Sequence, residues 1–327
     1  MNVTTRVFGA FETQAPLMQS APGAWNERPP KGAPIRTRKW RVPVPADLQS
    51  GAEVAEIPVI SGNSFRGRSR RALAENLCVL LGMEPKTLDP QVAHLVFVGG
   101  AMTKSVKNTL TPDIRDELRN LLPILSIFGG SVLGSMTEGL TSFGDWVAQV
   151  RETPGPCLTP GVSRDRLPEA SNVIDLQRFV QAAGLLKDMY GRAEITELSE
   201  LLKEQADGEG SGLPESMPYG VEAVAAGTSF RGWVAIDARA GDVERAGMRK
   251  AIDLAFPPLE PNGTIREVFL GGGGNRGYGV VRLDLDLTSV APDTQAYDAH
   301  VRSVAEEARV YLQSRKLVPT LKPKAAK

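Results

Sequence analysis

The chain has 327 residues, 42% of them apolar, and carries 38 basic against 38 acidic side chains, for a formal net charge of zero. That balance excludes a disordered chain, which lacks the apolar surface to offset its ordering entropy, and a protein that coats nucleic acid through bulk positive charge. Cys78 and Cys157 stand far apart in no metal-ligand spacing, which excludes a disulfide framework and a cysteine-based zinc site.

The opening MNVTTRVFGAF lacks the basic segment and apolar run of a secretory signal. Residues 2 to 14 alternate as a strand, with Val3, Val7 and Phe11 on one face. Periodicity then vanishes. Residues 16 to 58 contain Pro16, Pro22, Pro29, Pro30, Pro34, Pro43, Pro45 and Pro58, which predicts a basic insertion with a hairpin around PIRTRKWRVPV. EIPVISG predicts an extended entry into a glycine-containing turn. Leu73, Leu77, Leu80 and Leu81 follow the spacing of one buried helix face, predicting a helix over 64–82 that holds Cys78 in the core. Ser61, Asn63 and Ser64 are its N-cap candidates.

AHLVFVGG predicts a strand around His94 that breaks into glycine and then into Lys104 and Lys107, within a second insertion of about 94 to 165. Thr111, with Pro112 at the first helical position, starts a helix that Gly129 and Gly130 stop. The longest uncharged run, Asn120 to Thr137, is interrupted by Pro123 and three glycines, so no membrane span is expected and a cytoplasmic protein is. Residues 143 to 163 read as strand-like, then as a proline-rich loop. A third insertion, about 170 to 218, is expected to be helical and acidic around EITELSELLKEQADGEGSG. YGVEAVAAGTSFRGWVAIDA predicts two strands joined by a turn at Gly227, with Phe230, Val234 and Ile236 on one face. Asp242 is expected to cap a helix to about Phe256, and TIREVFLGGGGNRGYGVVRLDLDL reads as strand, glycine loop, strand. The tail, 316 to 327, is expected to fray. This order predicts a single α+β unit over 1–327: an RRM-like (ferredoxin-like) antiparallel sheet with large insertions.

Charge is local. Arg28, Lys31, Arg36, Arg38, Lys39, Arg41, Arg66, Arg68, Arg70 and Arg71 face only Asp47, Glu53 and Glu56 in the same span, while acids gather later in Glu194, Glu197, Glu200, Glu204, Asp207, Glu209 and Glu215. One basic and one acidic face suit a polyanion on the first and head-to-tail packing of copies. Four arginines at the mouth of the 64–82 helix are odd, because a helix N-terminus disfavours cations and welcomes anions. They fit a phosphate site fed by turn amides, or a solvated face paired with Glu75 and its neighbours. Gly271 to Gly279, GGGGNRGYG, is the second informative stretch. Consecutive glycines weaken helix or strand by up to about 1 kcal/mol each, which predicts either a loop open to close backbone approach or a linker. It is not a P-loop, since no Lys-Ser or Lys-Thr follows in frame, nor a dinucleotide fingerprint, since a strand follows it.

The turn and helix ISGNSFRGRSRR, the strand pair YGVEAVAAGTSFRG and the loop LGGGGNRGYG, in this order, resemble the RAMP superfamily of CRISPR proteins, and within it the backbone subunit of type IV effector complexes. The resemblance covers residues 2 to about 287. It implies a hand-shaped subunit that polymerises along a guide RNA and presents its bases to a target, alongside other effector subunits. Protein contacts then position the RNA backbone, and base pairing supplies specificity. By resemblance, guide RNA contact falls to Ser61, Gly62, Asn63, Ser64, Arg66, Arg68 and Arg70 in the first motif and to Gly272, Gly273, Asn275, Arg276 and Tyr278 in the second. From the residues themselves, Arg38, Lys39 and Trp40 combine phosphate holders with a stacking ring, although a lone tryptophan also suits a core. The resemblance further implies that Lys104 and Lys107 belong to the insertion that separates successive bases in such subunits.

RNA-cleaving relatives carry an aspartate in the loop after the first strand, whereas Glu12 and Glu27 are the only acids here from residue 1 to 46. The expectation is therefore no catalysis, no cofactor and no metal. A metal-dependent endoribonuclease using Glu12 or Glu27, or a nucleotide-binding enzyme using the glycine loop, are the alternatives. Histidine serves as acid or base in RNA-processing relatives, but His94 is expected in the core and His300 near a C-terminal helix.

Overall fold

The computed structural model describes residues 4–19, 34–46, 48, 53–100, 111–132, 135–182, 216–272 and 274–313. Glu27, Lys104, Lys107, Gly273, the acidic stretch 194–215 and the tail lie outside the described residues. The fold is α+β with a ferredoxin-like antiparallel core.

Strand β1 (Thr5–Thr13) carries the expected alternation, with Val7 and Phe11 buried and Arg6, Phe8 and Glu12 exposed. It lies mid-sheet because both its edges are paired, with β10 (Ser229–Ile236) on one side and β12 (Val280–Asp284) on the other. Beyond β12 lies β11 (Ile265–Phe269). Beyond β10 lie β7 (Trp146–Ala148), β3 (Val54–Ile60) and the edge strand β2 (Lys39–Pro43), while β6 (Thr141–Phe143) also pairs with β10. Every pairing in this eight-stranded sheet is antiparallel.

One sheet face is covered by α1 (Gly62–Leu80), against which α5 (Asp242–Ala255) packs. Phe65 of α1 stacks on Trp146 at 4.7 Å, and Phe11 stacks on Phe230 at 4.7 Å. The strand interiors tolerate glycine here for a steric reason. Gly9 and Gly232 are register partners, and a Cβ on either would meet the Trp146 ring, at 2.8 and 2.3 Å respectively. Cys78 is buried on α1, as its apolar face requires. The remaining helices are α2 (Pro90–Phe97), α3 (Pro112–Leu121), α4 (Pro123–Phe128), α6 (Gln295–Ser303) and α7 (Ala305–Gln313). Ribbons β4–β5 (Gly130–Val132, Ser135–Thr137) and β8–β9 (Ile174–Ala182, Ser216–Val224) stand outside the main sheet.

The strand in PIRTRKWRVPV forms an antiparallel hairpin with the next strand, Val54–Ile60, whose other edge joins the main sheet at β7. Several elements differ from expectation. His94 lies in helix α2, not in a strand: Asp89 accepts from the Gln91 and Val92 amides, and Pro90 occupies the first helical position. The helix begun at Thr111 breaks before Pro123, whose ring cannot continue it, and resumes as α4. Helix α5 is capped by Gly241, whose amide donates to Glu244, so Asp242 is its first residue. The ends of the third insertion are the strands of a β-ribbon rather than helix.

Candidate nucleic-acid interface

Helix α1 begins where expected, with Ser61 as N-cap, its Oγ accepting from the Asn63 amide at 3.3 Å. The anion at this helix mouth is supplied by the chain itself. Asp145 Oδ1 accepts from the Gly62 amide at 2.9 Å, while Oδ2 accepts from the Arg38 guanidinium and Trp40 Nε1, each at 3.2 Å. Ser61 and Gly62 are buried, and a Cβ on Gly62 would lie 2.3 Å from the Phe143 carbonyl oxygen and 2.6 Å from that of Gly144. The glycine is there for close packing, and its amide is already occupied. Asp145→Asn is expected to lower stability by about 1–2 kcal/mol, because it weakens a charge-assisted cap and leaves Arg38 unpaired. Thermal unfolding monitored by circular dichroism checks this.

The Arg38–Trp40 stretch is neutralised from within, against expectation. Lys39 pairs with Glu222 at 3.0 Å and Glu56 at 3.5 Å, and Trp40 packs partly buried on the core. Arg70 is likewise structural. It is 2% exposed and donates to the carbonyls of Leu95, Val96 and Gly129 at 2.7–2.8 Å. Burial, and then the nearby charge of Arg66, pulls its pKa down to about 10.

What remains at the surface lies on two sides of α1. Asn63, Ser64 and Arg71 are exposed, and Arg66 and Arg68 are half-buried. Arg66 donates to the Phe128 carbonyl; Arg68 donates to the Phe269 carbonyl and lies over the Phe256 ring at 4.9 Å. Among the described residues none of these arginines pairs with a carboxylate, Glu75 included. Burial lowers the pKa of both Arg66 and Arg68, and the charge of Arg71 lowers Arg68 further. Arg68 and Arg71 thus lie close together with no counter-charge among the described residues, while Arg66 turns the other way, to the end of α4.

The glycine loop sits beside them. Gly271, Gly277 and Gly279 adopt left-handed backbone with φ of +73°, +79° and +77°, and a Cβ on Gly279 would lie 2.0 Å from the Leu270 carbonyl oxygen. Residues Gly274–Arg276 form a single 3₁₀ turn. Gly272 donates to Met18 O at 2.9 Å and Gly279 to Pro16 O at 2.8 Å, so the loop is zippered to the strap Pro16–Gln19. Gln19 in turn reaches Ser64 Oγ at 3.5 Å, and its carbonyl accepts from the Arg38 amide at 2.9 Å. The structure therefore brings Ser64 and Arg68 to the loop that holds Gly272, Asn275, Arg276 and Tyr278, and leaves Arg66 on the far side of α1. Arg276 is exposed, Tyr278 half-buried, and each has a partner within the chain. Sequence reasoning missed Asp145, the strap, and Phe269, which is 55% exposed at the loop's entrance. Only Phe269 carried a local signal, an aromatic next to the glycines.

No protein-family model and no curated protein matches the chain. Among solved structures, it is similar to one chain of a Type IV-B CRISPR complex, with 18% identity over 87% of this chain and 92% of that chain, at a TM-score of 0.53. What the two share is a fold. Over that fold the described residues include no helix long and apolar enough to cross a membrane, and no group of His, Cys, Asp and Glu arranged to hold a metal ion.

Proposed function

We propose that this protein is a non-catalytic, guide-RNA-binding backbone subunit of a type IV-like CRISPR effector complex, in which copies associate head to tail along the RNA and present it for target pairing alongside other subunits. The observation that carries this is the Arg68–Arg71 pair. It has no carboxylate partner among the described residues, and Arg68 abuts a glycine loop whose backbone a phosphate chain can approach closely. The fold shared with a chain of a Type IV-B CRISPR complex supports the reading.

Purification from cells, sizing with absorbance at 260 and 280 nm, and sequencing of co-eluting nucleic acid test it directly. Large particles with RNA of discrete length are expected; a clean monomer free of nucleic acid overturns the proposal. Arg66→Ala with Arg68→Ala is expected to weaken binding of single-stranded RNA and to flatten the slope of log K against log salt by about 0.7 for each phosphate no longer neutralised. An unchanged slope with a lowered melting temperature would mean that both arginines only hold carbonyls. With magnesium and labelled RNA the purified protein is expected to leave the RNA intact. Guide-length turnover abolished by Glu12→Gln would instead assign a nuclease.

A further inference from the structure

The sheet face opposite α1 carries a second arrangement that the helix and loop do not use. On the central strands, Phe8 of β1 stands opposite Trp233 of β10, and Ala10 stands opposite Arg231. The Arg231 guanidinium lies 4.3 Å from the Phe8 ring centroid, and that of Arg6 lies 4.4 Å from the Trp233 ring centroid. Phe8 is 48% exposed, which is unusual for a phenylalanine at the centre of an eight-stranded sheet. Arg231 is held in place, since it also donates to the Leu158 carbonyl.

Charge singles out this end of the face. Farther along, Arg282 is flanked in register by Glu12 and Glu267, and Asp284 stands beside Ala10. Among the described residues Arg6 and Arg231 have no carboxylate partner. Each guanidinium lies over one of the two rings and Arg231 has a further bond to hold it, so the four side chains are preorganised, with little side-chain entropy left to lose. Single-stranded nucleic acid matches that chemistry: a base for the stack and a phosphate for the guanidinium edge. The face also runs on to the candidate site, because Phe269 and Val280 flank the glycine loop and are register partners on the same outward side.

We propose that Arg6, Phe8, Arg231 and Trp233 form a base-stacking platform for a single-stranded nucleic acid, separate from the α1 and glycine-loop contacts. This builds on the nucleic-acid reading above and adds a second contact to it. The test titrates the full chain with labelled oligouridine and oligothymidine, comparing wild type, Phe8→Ala, Phe8→Tyr, Trp233→Phe and Arg68→Ala. Phe8→Ala is expected to weaken binding by about 5- to 100-fold without changing the salt slope, and Phe8→Tyr to restore it. Tryptophan emission is expected to be quenched on binding, with most of that quench absent in Trp233→Phe. If Phe8→Ala binds and quenches like wild type while Arg68→Ala binds weakly, the platform is overturned and the proposed function stands. If the wild type binds neither strand, both fall. A Phe8→Ala protein that melts earlier or self-associates less, yet binds with wild-type affinity, also overturns the platform, since that is what strand pairing or a protein contact alone would produce.

Discussion

Arg70→Met is expected to destabilise the protein by about 3–5 kcal/mol and to leave RNA affinity, measured where the variant is folded, unchanged. The side chain sits in a motif of alternating arginines and differs from its neighbours only in where the helix points it. Its guanidinium donates to Leu95 and Val96, carbonyls in the last turn of α2, and to Gly129, which follows α4. Helix C-terminal carbonyls have no partner within their own helix, so a buried cation there satisfies several acceptors and complements the helix dipole. Methionine preserves much of the volume and abandons the Val96 and Gly129 carbonyls in a dry environment, each at about 1–3 kcal/mol before relaxation, while the Leu95 carbonyl keeps the Gly99 amide at 3.1 Å. Urea unfolding followed by circular dichroism reads the destabilisation, and an oligonucleotide titration reads the affinity. A variant of normal stability that no longer binds RNA would return Arg70 to the nucleic-acid surface.

Gly62→Ala is expected to cost about 2–3 kcal/mol, although alanine ordinarily improves a helix by up to about 1 kcal/mol over glycine. The sign reverses because the added Cβ would lie 2.3 Å from the Phe143 carbonyl oxygen and 2.6 Å from that of Gly144. Both obstacles are backbone, and the second adjoins Asp145, so relief by displacement also disturbs the carboxylate that caps Gly62 and holds Arg38 and Trp40. RNA binding is expected to fall only in proportion to unfolding. If Gly62→Ala folds with wild-type stability and fails to bind RNA, the glycine serves close phosphate approach and the packing explanation is wrong. The same logic does not extend to Gly272, where a Cβ would meet nothing within 4 Å. There a substitution should be silent for stability, and any effect would report on the ligand.

Much of the architecture was legible along the chain. The alternation in β1, the leucine spacing of α1 and the strand, loop, strand pattern at the glycines each reflect local periodicity, which burial on one face imposes directly. Where expectation failed, two local signals competed or the partner was distant. The run around His94 is short and apolar, which suits strand or helix alike, and the Asp89–Pro90 cap decides for helix. The hairpin in the basic insertion was visible, but that its second strand, Val54–Ile60, joins the main sheet depends on β7, more than eighty residues on. The site divided along the same line. That Arg66, Arg68 and Arg70 stand at a helix mouth follows from spacing alone. That Arg70 turns inward to α2, that Asp145 fills the anion position at Gly62, and that Lys39 meets Glu222 depend on contacts between residues 25 to 183 positions apart.

By itself the sequence determined the α+β alternation, the positions of its glycine punctuation and a local excess of positive charge. These are properties of short windows, set by side-chain period, backbone freedom and composition. Only the tertiary structure decided which of those charges are already answered by a carboxylate or a carbonyl and which face solvent. Electrostatic satisfaction depends on distance in space, and the carboxylate that relieves Arg38 lies more than a hundred residues away along the chain.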